Sequence, residues 1–130
     1  MNLNKRIFIV DDDAFWATML HQQLTNLGYL NIFTFENGED CLDHLHLNPQ
    51  MVFLDYQMEE ANGLDILPKI KAYYPGISVV LCTAYEDLSV AVEALENGCL
   101  DYLLKGKCTP KEIAQLMEVK ASRPSLSLNI

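Results

Sequence analysis

Asp11, Asp12 and Asp55 are carboxylates, Thr83 is a hydroxyl and Lys105 is an ammonium, and each stands where an apolar run ends. Ile7-Phe8-Ile9-Val10 runs into Asp11-Asp12-Asp13, and Met51-Val52-Phe53-Leu54 runs into Asp55. Ile77-Ser78-Val79-Val80-Leu81-Cys82 runs into Thr83, and Leu100-Asp101-Tyr102-Leu103-Leu104 runs into Lys105. Carboxylates crowded together repel, and one of them stays protonated unless a cation neutralises the set. A hard divalent ion, Mg²⁺ or Mn²⁺, does this with one or two carboxylates, a carbonyl and waters. A carboxylate in that setting can attack phosphorus and form an acyl phosphate. The ion, the ammonium and the hydroxyl could each stabilise one oxygen of the transferring group.

Such chemistry needs the four run ends in one place. If the runs are parallel strands of one sheet, their downstream ends emerge at one edge, where open α/β sheets build their sites. The strand-like runs alternate with segments of helical period, which predicts a βα repeat. The first helix starts at Asp13 or Ala14 and stops before Gly28, with a stripe of Trp16, Leu20, Leu24 and Leu27. Asp13 reads as its N-cap rather than as a ligand. The second strand is Asn31 to Phe35, and a short helix with Cys41, Leu42 and Leu45 ends at Asn48-Pro49. The third strand ends at Leu54, and the loop Tyr56 to Asn62 leads into a helix with Leu64, Leu67, Ile70 and Lys71. Pro68 falls in its first two turns. The fourth strand is Ile77 to Cys82. A helix from Glu86 to Asn97 carries Val90, Val92, Ala94 and Leu95, and Gly98 stops it. The fifth strand is Leu100 to Leu104. The last helix runs from Thr109-Pro110 to Val119 with Ile113, Leu116 and Met117 inward, capped by Thr109.

Five strands and five helices in strict alternation fit a doubly wound (βα)5 sheet of flavodoxin type, strand order 2-1-3-4-5. In that order the ends of the first and third strands flank the switch point, so Asp11, Asp12 and Asp55 fall where the fold makes a pocket. Residues 1–120 form this domain, and 121–130 read as a tail or the start of a linker.

The chain has 130 residues, half of them hydrophobic, and a net charge of −9. That balance disfavours nucleic-acid binding by this domain alone, because phosphate backbones demand clustered Lys and Arg. No apolar stretch is long enough to span a membrane, and the N-terminus does not read as a signal peptide, so a cytoplasmic chain is expected. Cys41, Cys82, Cys99 and Cys108 show no metal-ligand spacing, and Cys82 reads as a small core residue. His44 and His46 are two apart and do not share a helix face, so neither they nor His21 are assigned to a metal.

With these residues in view, the chain resembles the receiver domains of two-component response regulators over about Lys5 to Lys120. Asp11-Asp12 is similar to the acidic pair after the first strand. Phe53-Leu54-Asp55-Tyr56-Gln57-Met58 resembles the phospho-acceptor motif, with Gly63 at the family's glycine. Leu81-Cys82-Thr83-Ala84 resembles the switch hydroxyl and the small residue after it, and Asp101-Tyr102-Leu103-Leu104-Lys105 the aromatic and lysine of the fifth strand. The resemblance implies that Asp55 accepts a phosphoryl group from a histidine kinase or histidine phosphotransfer protein. It implies that Asp12 and Asp55 bind Mg²⁺ directly, with the Gln57 backbone carbonyl, and Asp11 through water. Lys105 would contact the phosphoryl group, Thr83 would move to it, and Tyr102 would swing inward. The face made by the fourth helix, fifth strand and fifth helix would then change for an unidentified downstream target, with a homodimer as one possible user. By the same resemblance the domain is not an enzyme beyond its own phosphotransfer and dephosphorylation, and Gln57 and Tyr85 tune phosphate lifetime. A bulky Tyr85 implies slow hydrolysis.

Two positions depart from the family. Glu59 stands where proline commonly follows Met58, and Gly106 where proline commonly follows the lysine. A Lys105–Gly106 peptide is expected to be trans, since cis is costly without proline. Phe15, beside Trp16 at the start of the first helix, is a candidate partner contact.

Other classes fit less well. An aspartyl phosphatase would carry a second Asp where Gln57 stands. A flavin-binding relative would need a phosphate loop where three aspartates stand. A phosphorylation-independent interaction domain is the alternative, and the complete set Asp12, Asp55, Thr83 and Lys105 argues against it.

Overall fold

The computed structural model describes residues 3–122. Strands and helices alternate as β1 (Ile7–Val10), α1 (Ala14–Asn26), β2 (Ile32–Phe35), α2 (Gly38–Asp43), β3 (Met51–Asp55), α3 (Gly63–Tyr73), β4 (Ser78–Thr83), α4 (Leu88–Glu96), β5 (Asp101–Leu104) and α5 (Pro110–Ser122). All strand pairs are parallel, in the order β2-β1-β3-β4-β5. This is the doubly wound, flavodoxin-like arrangement that the alternation predicts.

β1, and β3 as far as Leu54, are apolar because both faces of the sheet are covered. Alternate residues serve opposite layers. Phe8, Val10, Val52, Leu54, Val79 and Leu81 pack with Ile66, Leu67, Ile70, Val90 and Ala94 on one side. Ile7, Ile9, Met51, Phe53, Val80 and Cys82 pack with Trp16, Leu20, Leu24, Ile113 and Met117 on the other. Each large side chain taken fully from water contributes about 1.5–3 kcal/mol. All four cysteines are buried and unpaired.

Local signals set the helix ends. Asp13 caps α1, accepting from the backbone N–H of Phe15 and Trp16. Leu27, the last residue of the inward stripe, is the C-cap of α1 and packs half-buried against the second layer, and Ala17 joins the stripe in the core. Gly28 and Gly98 follow α1 and α4 at φ +104° and +93°, where a Cβ is disfavoured. Asn62 and Asp65 form a reciprocal capping box at α3. Pro68 is the sixth residue of α3, so its missing N–H falls past the first turn, and it cannot donate to the Leu64 carbonyl.

Several boundaries differ from the sequence reading. α2 stops at Asp43, and a 3-10 turn, Leu45–Leu47, follows His44. The α-helical spacing therefore does not apply to His44 and His46, whose rings stack with centroids 6.0 Å apart. β4 begins one residue later than expected, so Thr83 is its last residue, paired with Leu104. α4 begins at Leu88 because Asp87 caps it through Ser89 and Val90. Val90 and Ala94 of α4 are buried, whereas Leu88, Val92 and Leu95 form an exposed stripe. α5 extends to Ser122, beyond Val119, so Ala121 and Ser122 of the expected tail are helical. Residues 123–130 lie outside the described residues. Among the described residues every peptide bond is trans, Lys105–Gly106 included.

Candidate functional site

Sheet register assembles the site. Val10 pairs with Leu54, so Asp11 and Asp55 follow side by side at the downstream edge. Asp55 pairs with Cys82, and Thr83 with Leu104, which places Lys105 one residue beyond the strand at that edge. Asp11, Asp55 and Thr83 are buried, and Asp12 is exposed.

Lys105 bridges two of the carboxylates. Its Nζ lies 2.7 Å from Asp11 Oδ2 and 3.1 Å from Asp55 Oδ1. Asp11 Oδ1 also accepts the backbone N–H of Asp13 at 2.8 Å. The indole of Trp16 faces the same ammonium, with its ring centroid 5.5 Å from Nζ. Carboxylate oxygens of Asp11, Asp12 and Asp55 all lie within 4.8 Å of one another.

One ammonium among three carboxylates leaves an excess of negative charge in a desolvated space. Burial, with the Asp11 carboxylate second, pushes the Asp55 carboxyl up to about 7, against the pull of Lys105. For Lys105, burial acts to lower the pKa, but Asp11 and Asp55 outweigh it and hold the ammonium above its ordinary value. Three hard oxygen donors, one of them open to solvent, fit Mg²⁺ or Mn²⁺ and supply the charge that neutralises the set. A cleft of about 540 Å³ opens beside Asp12 and is lined by Glu36, Glu39, Glu59 and Glu60. Asp55 and Lys105 lie outside its lining.

The loop after β3 is pinned against the acceptor edge. The Gly63 N–H donates to the Tyr56 carbonyl at 2.8 Å. A Cβ at Gly63 would lie 2.7 Å from the Asp55 carbonyl oxygen and from Leu81 Cδ1, so only glycine fits. Gln57 is exposed on this loop.

Thr83, Tyr85 and Tyr102 form a second group beside the first. Thr83 Oγ1 donates to the Tyr85 carbonyl and accepts the Tyr85 N–H, each at 3.3 Å. The Tyr102 hydroxyl donates to the same carbonyl at 3.3 Å and accepts the Asp87 N–H at 3.3 Å. The Tyr85 side chain itself is 70% exposed. Phe15, at the start of α1, is 79% exposed.

The structure thus gathers Asp11, Asp12, Asp55 and Lys105 in one cluster and Thr83, Tyr85 and Tyr102 in another. Sequence reasoning missed three features. Asp11 is the nearer ion-pair partner of Lys105. Trp16, read only as core, also faces the ammonium. Asp87 caps α4 and meets Tyr102, and its place before Ser89 and Val90 is an N-cap signal that could have found it.

Comparison with known proteins places this site in a family. The response regulator receiver domain profile matches residues 7–118. The chain is 39% identical over 103 residues to the transcriptional regulatory protein ZraR of Escherichia coli K12, covering 78% of this chain and 23% of that protein. It is 32% identical over 104 residues to the chemotaxis protein CheY of Thermotoga maritima, covering 79% of this chain and 87% of that one. The chain therefore spans about a quarter of ZraR and most of CheY. Among solved structures, the signal receiver domain of a LuxO repressor protein from Vibrio parahaemolyticus superposes with a TM-score of 0.85 at 25% identity, covering 95% of each chain. The BeF3-activated DrrB receiver domain gives 0.83 at 28% identity, covering 92% of this chain and 99% of that one.

The chain belongs to the response regulator receiver domain family of two-component systems. Receiver domains are signalling modules that work with histidine kinases and downstream effectors and bind Mg²⁺ at an acidic pocket. Among the described residues, no helix is long and apolar enough to cross a membrane.

Proposed function

We propose that this domain accepts a phosphoryl group on Asp55 from a histidine kinase or histidine phosphotransfer protein and passes the change to its α4-β5-α5 face. The observation that carries this reading is the buried Asp55 carboxylate, 3.1 Å from Lys105 and within 4.8 Å of the carboxylate oxygens of Asp11 and Asp12.

An Asp55 oxygen attacks phosphorus, forming an O–P bond as the donor's N–P bond breaks, and the electron pair leaves with the donor imidazole. Mg²⁺ held by Asp12, Asp55 and the Gln57 carbonyl, with Asp11 through water, would supply charge compensation for the carboxylates and the incoming oxygens. Lys105 keeps its ammonium beside Asp55 and meets one phosphoryl oxygen. The Thr83 hydroxyl turns to another and gives up the Tyr85 carbonyl. Tyr102, bonded to the same carbonyl, then changes position and with it the start of α4.

Exposed Leu88, Val92 and Leu95 on α4 supply an apolar surface for a target or a second copy of the chain. Exposed Phe15, at the start of α1, supplies a contact for the phosphoryl donor. The domain is not an enzyme beyond its own phosphotransfer and dephosphorylation, and it is cytoplasmic. Exposed Gln57 and Tyr85 set the phosphate lifetime, and Tyr85 slows access of the hydrolytic water.

Incubation with Mg²⁺ and acetyl phosphate tests the reading by intact mass. One added phosphoryl group in the parent and none in Asp55→Asn is the expected result. Absence of both added mass and Mg²⁺ binding would leave the domain as a phosphorylation-independent interaction module.

A further inference from the structure

Lys105 is followed by a glycine where the chain leaves β5. It opens a 3-10 turn, Lys105–Lys107, whose second residue is Gly106. A Cβ at Gly106 would meet nothing within 4 Å, and a glycine leaves the backbone its widest conformational range. The lysine side chain is nevertheless only 14% exposed and lies on two carboxylates at once. Something besides the turn must hold it there.

The two carboxylates cannot do so throughout the reaction. Asp55 becomes the acyl phosphate, and Asp11 belongs to the acidic set that a divalent ion engages. Both change partner or charge as phosphorylation proceeds. The Trp16 ring does neither. It carries no titratable proton, and its face attracts a cation more strongly when water is excluded. Trp16 is 5% exposed and packs in the layer that includes Cys82, Cys108 and Ile113. Its backbone N–H donates to the Asp13 cap at 3.3 Å, which ties it to the first turn of α1. The ring is therefore a fixed object 5.5 Å from the ammonium.

We infer that Trp16 is a positioning residue for Lys105, holding its ammonium at the acceptor edge while the partners of Asp11 and Asp55 change. This rests on the reading of Asp55 as phospho-acceptor.

Two variants separate positioning from packing. Trp16→Phe keeps an aromatic face, and Trp16→Leu removes it. With Mg²⁺ and acetyl phosphate, the rate of mass gain should fall about ten-fold in Trp16→Leu and no more than about three-fold in Trp16→Phe. In a Lys105→Met background, Trp16→Leu should slow the reaction no further. Equal slowing by Trp16→Leu in both backgrounds, or equal rates for the Phe and Leu variants, would overturn the inference. No mass gain in the parent would overturn the acceptor reading and this inference with it. Trp16 is the chain's single tryptophan, so its emission reads the ammonium without any phosphorylation. Lys105→Met should shift that emission, and an unchanged spectrum would overturn the contact while leaving the acceptor reading intact. If Trp16→Leu does not fold, the Phe variant and the emission measurement decide.

Discussion

Thr83 and Tyr102 reach the same backbone oxygen, the carbonyl of Tyr85, each at 3.3 Å. A carbonyl has two lone pairs and accepts both hydroxyls. The hydroxyl beside the phospho-acceptor edge and the aromatic on β5 are thus joined through one peptide unit of the loop between β4 and α4. At 3.3 Å each bond is long, so each contributes about 0.5–1 kcal/mol. Thr83→Ala removes the acceptor for the Tyr85 N–H, and Tyr102→Phe removes the acceptor for the Asp87 N–H. Amide hydrogen exchange should therefore quicken about three-fold at Tyr85 in the first variant and at Asp87 in the second. The double variant should quicken both by less than the product, because either single loss already loosens the shared loop. Independent effects at the two amides would show that the common carbonyl carries no coupling.

Asp55 makes stability depend on pH in the direction opposite to a paired surface carboxylate. In the folded chain it keeps its proton to about 7, whereas unfolding returns it to about 4. Between those values the folded state binds more protons than the unfolded one, so stability falls as pH rises from about 4 to about 7. Asp55→Asn removes that loss. The variant should unfold at higher urea than the parent at pH 8, by on the order of 2–4 kcal/mol, and the difference should vanish towards pH 4. Mg²⁺, which binds the folded carboxylates, should narrow the gap at pH 8 by stabilising the parent alone. A difference independent of pH would show that Asp55 is not held protonated by its surroundings.

Gly63 shows a constraint that acts through space rather than conformation. Its Cβ would collide with the Asp55 carbonyl and with Leu81 Cδ1, both at 2.7 Å. The Asp55 oxygen is backbone within a five-strand sheet, so it cannot give way as a flexible side-chain end would. Gly63→Ala should therefore displace the start of α3 and cost about 1–3 kcal/mol in urea unfolding. It should also lower Mg²⁺ affinity, because the Tyr56–Asn62 loop carries Gln57. An unchanged unfolding midpoint would mean that the loop moves without cost.

The strand ends were legible because β1 and β3 are covered on both faces and must be apolar until they emerge. A polar residue after such a run marks the exit, which is why Asp11, Asp55 and Lys105 stand out without any structure. The pairing among them was not legible. Which carboxylate lies nearer Lys105 depends on sheet register and on side-chain reach, and both are tertiary. Which face of α4 is covered was not legible for a related reason. Val92 and Leu95 are as apolar as Val90 and Ala94, and only the placement of α4 on the sheet decides which pair is covered. At α2 the helix ended at Asp43, so a periodicity argument carried past it separated two histidines that in fact stack. The Asp87 cap was readable from residue types alone.

Asp11 and Lys105 act on Asp55 with opposite signs, which allows a test of the site's charge balance without any donor. The Asp11 carboxylate raises the Asp55 pKa, and the Lys105 ammonium lowers it. Asp11→Asn should move the Asp55 titration down towards the ordinary carboxylate range, because it removes the like charge and leaves the ammonium to Asp55. Lys105→Met should move it up, because it removes the opposing cation and leaves burial and Asp11 in place. Carboxyl ¹³C chemical shifts of Asp55 followed against pH in metal-free buffer would read both changes. Mg²⁺ should lower the titration in the parent by competing with the proton. It should do so less in Asp11→Asn, where one donor has lost its charge. No shift in either variant would mean that burial alone governs Asp55 and that the 2.7 Å and 3.1 Å contacts of Lys105 do not set its charge.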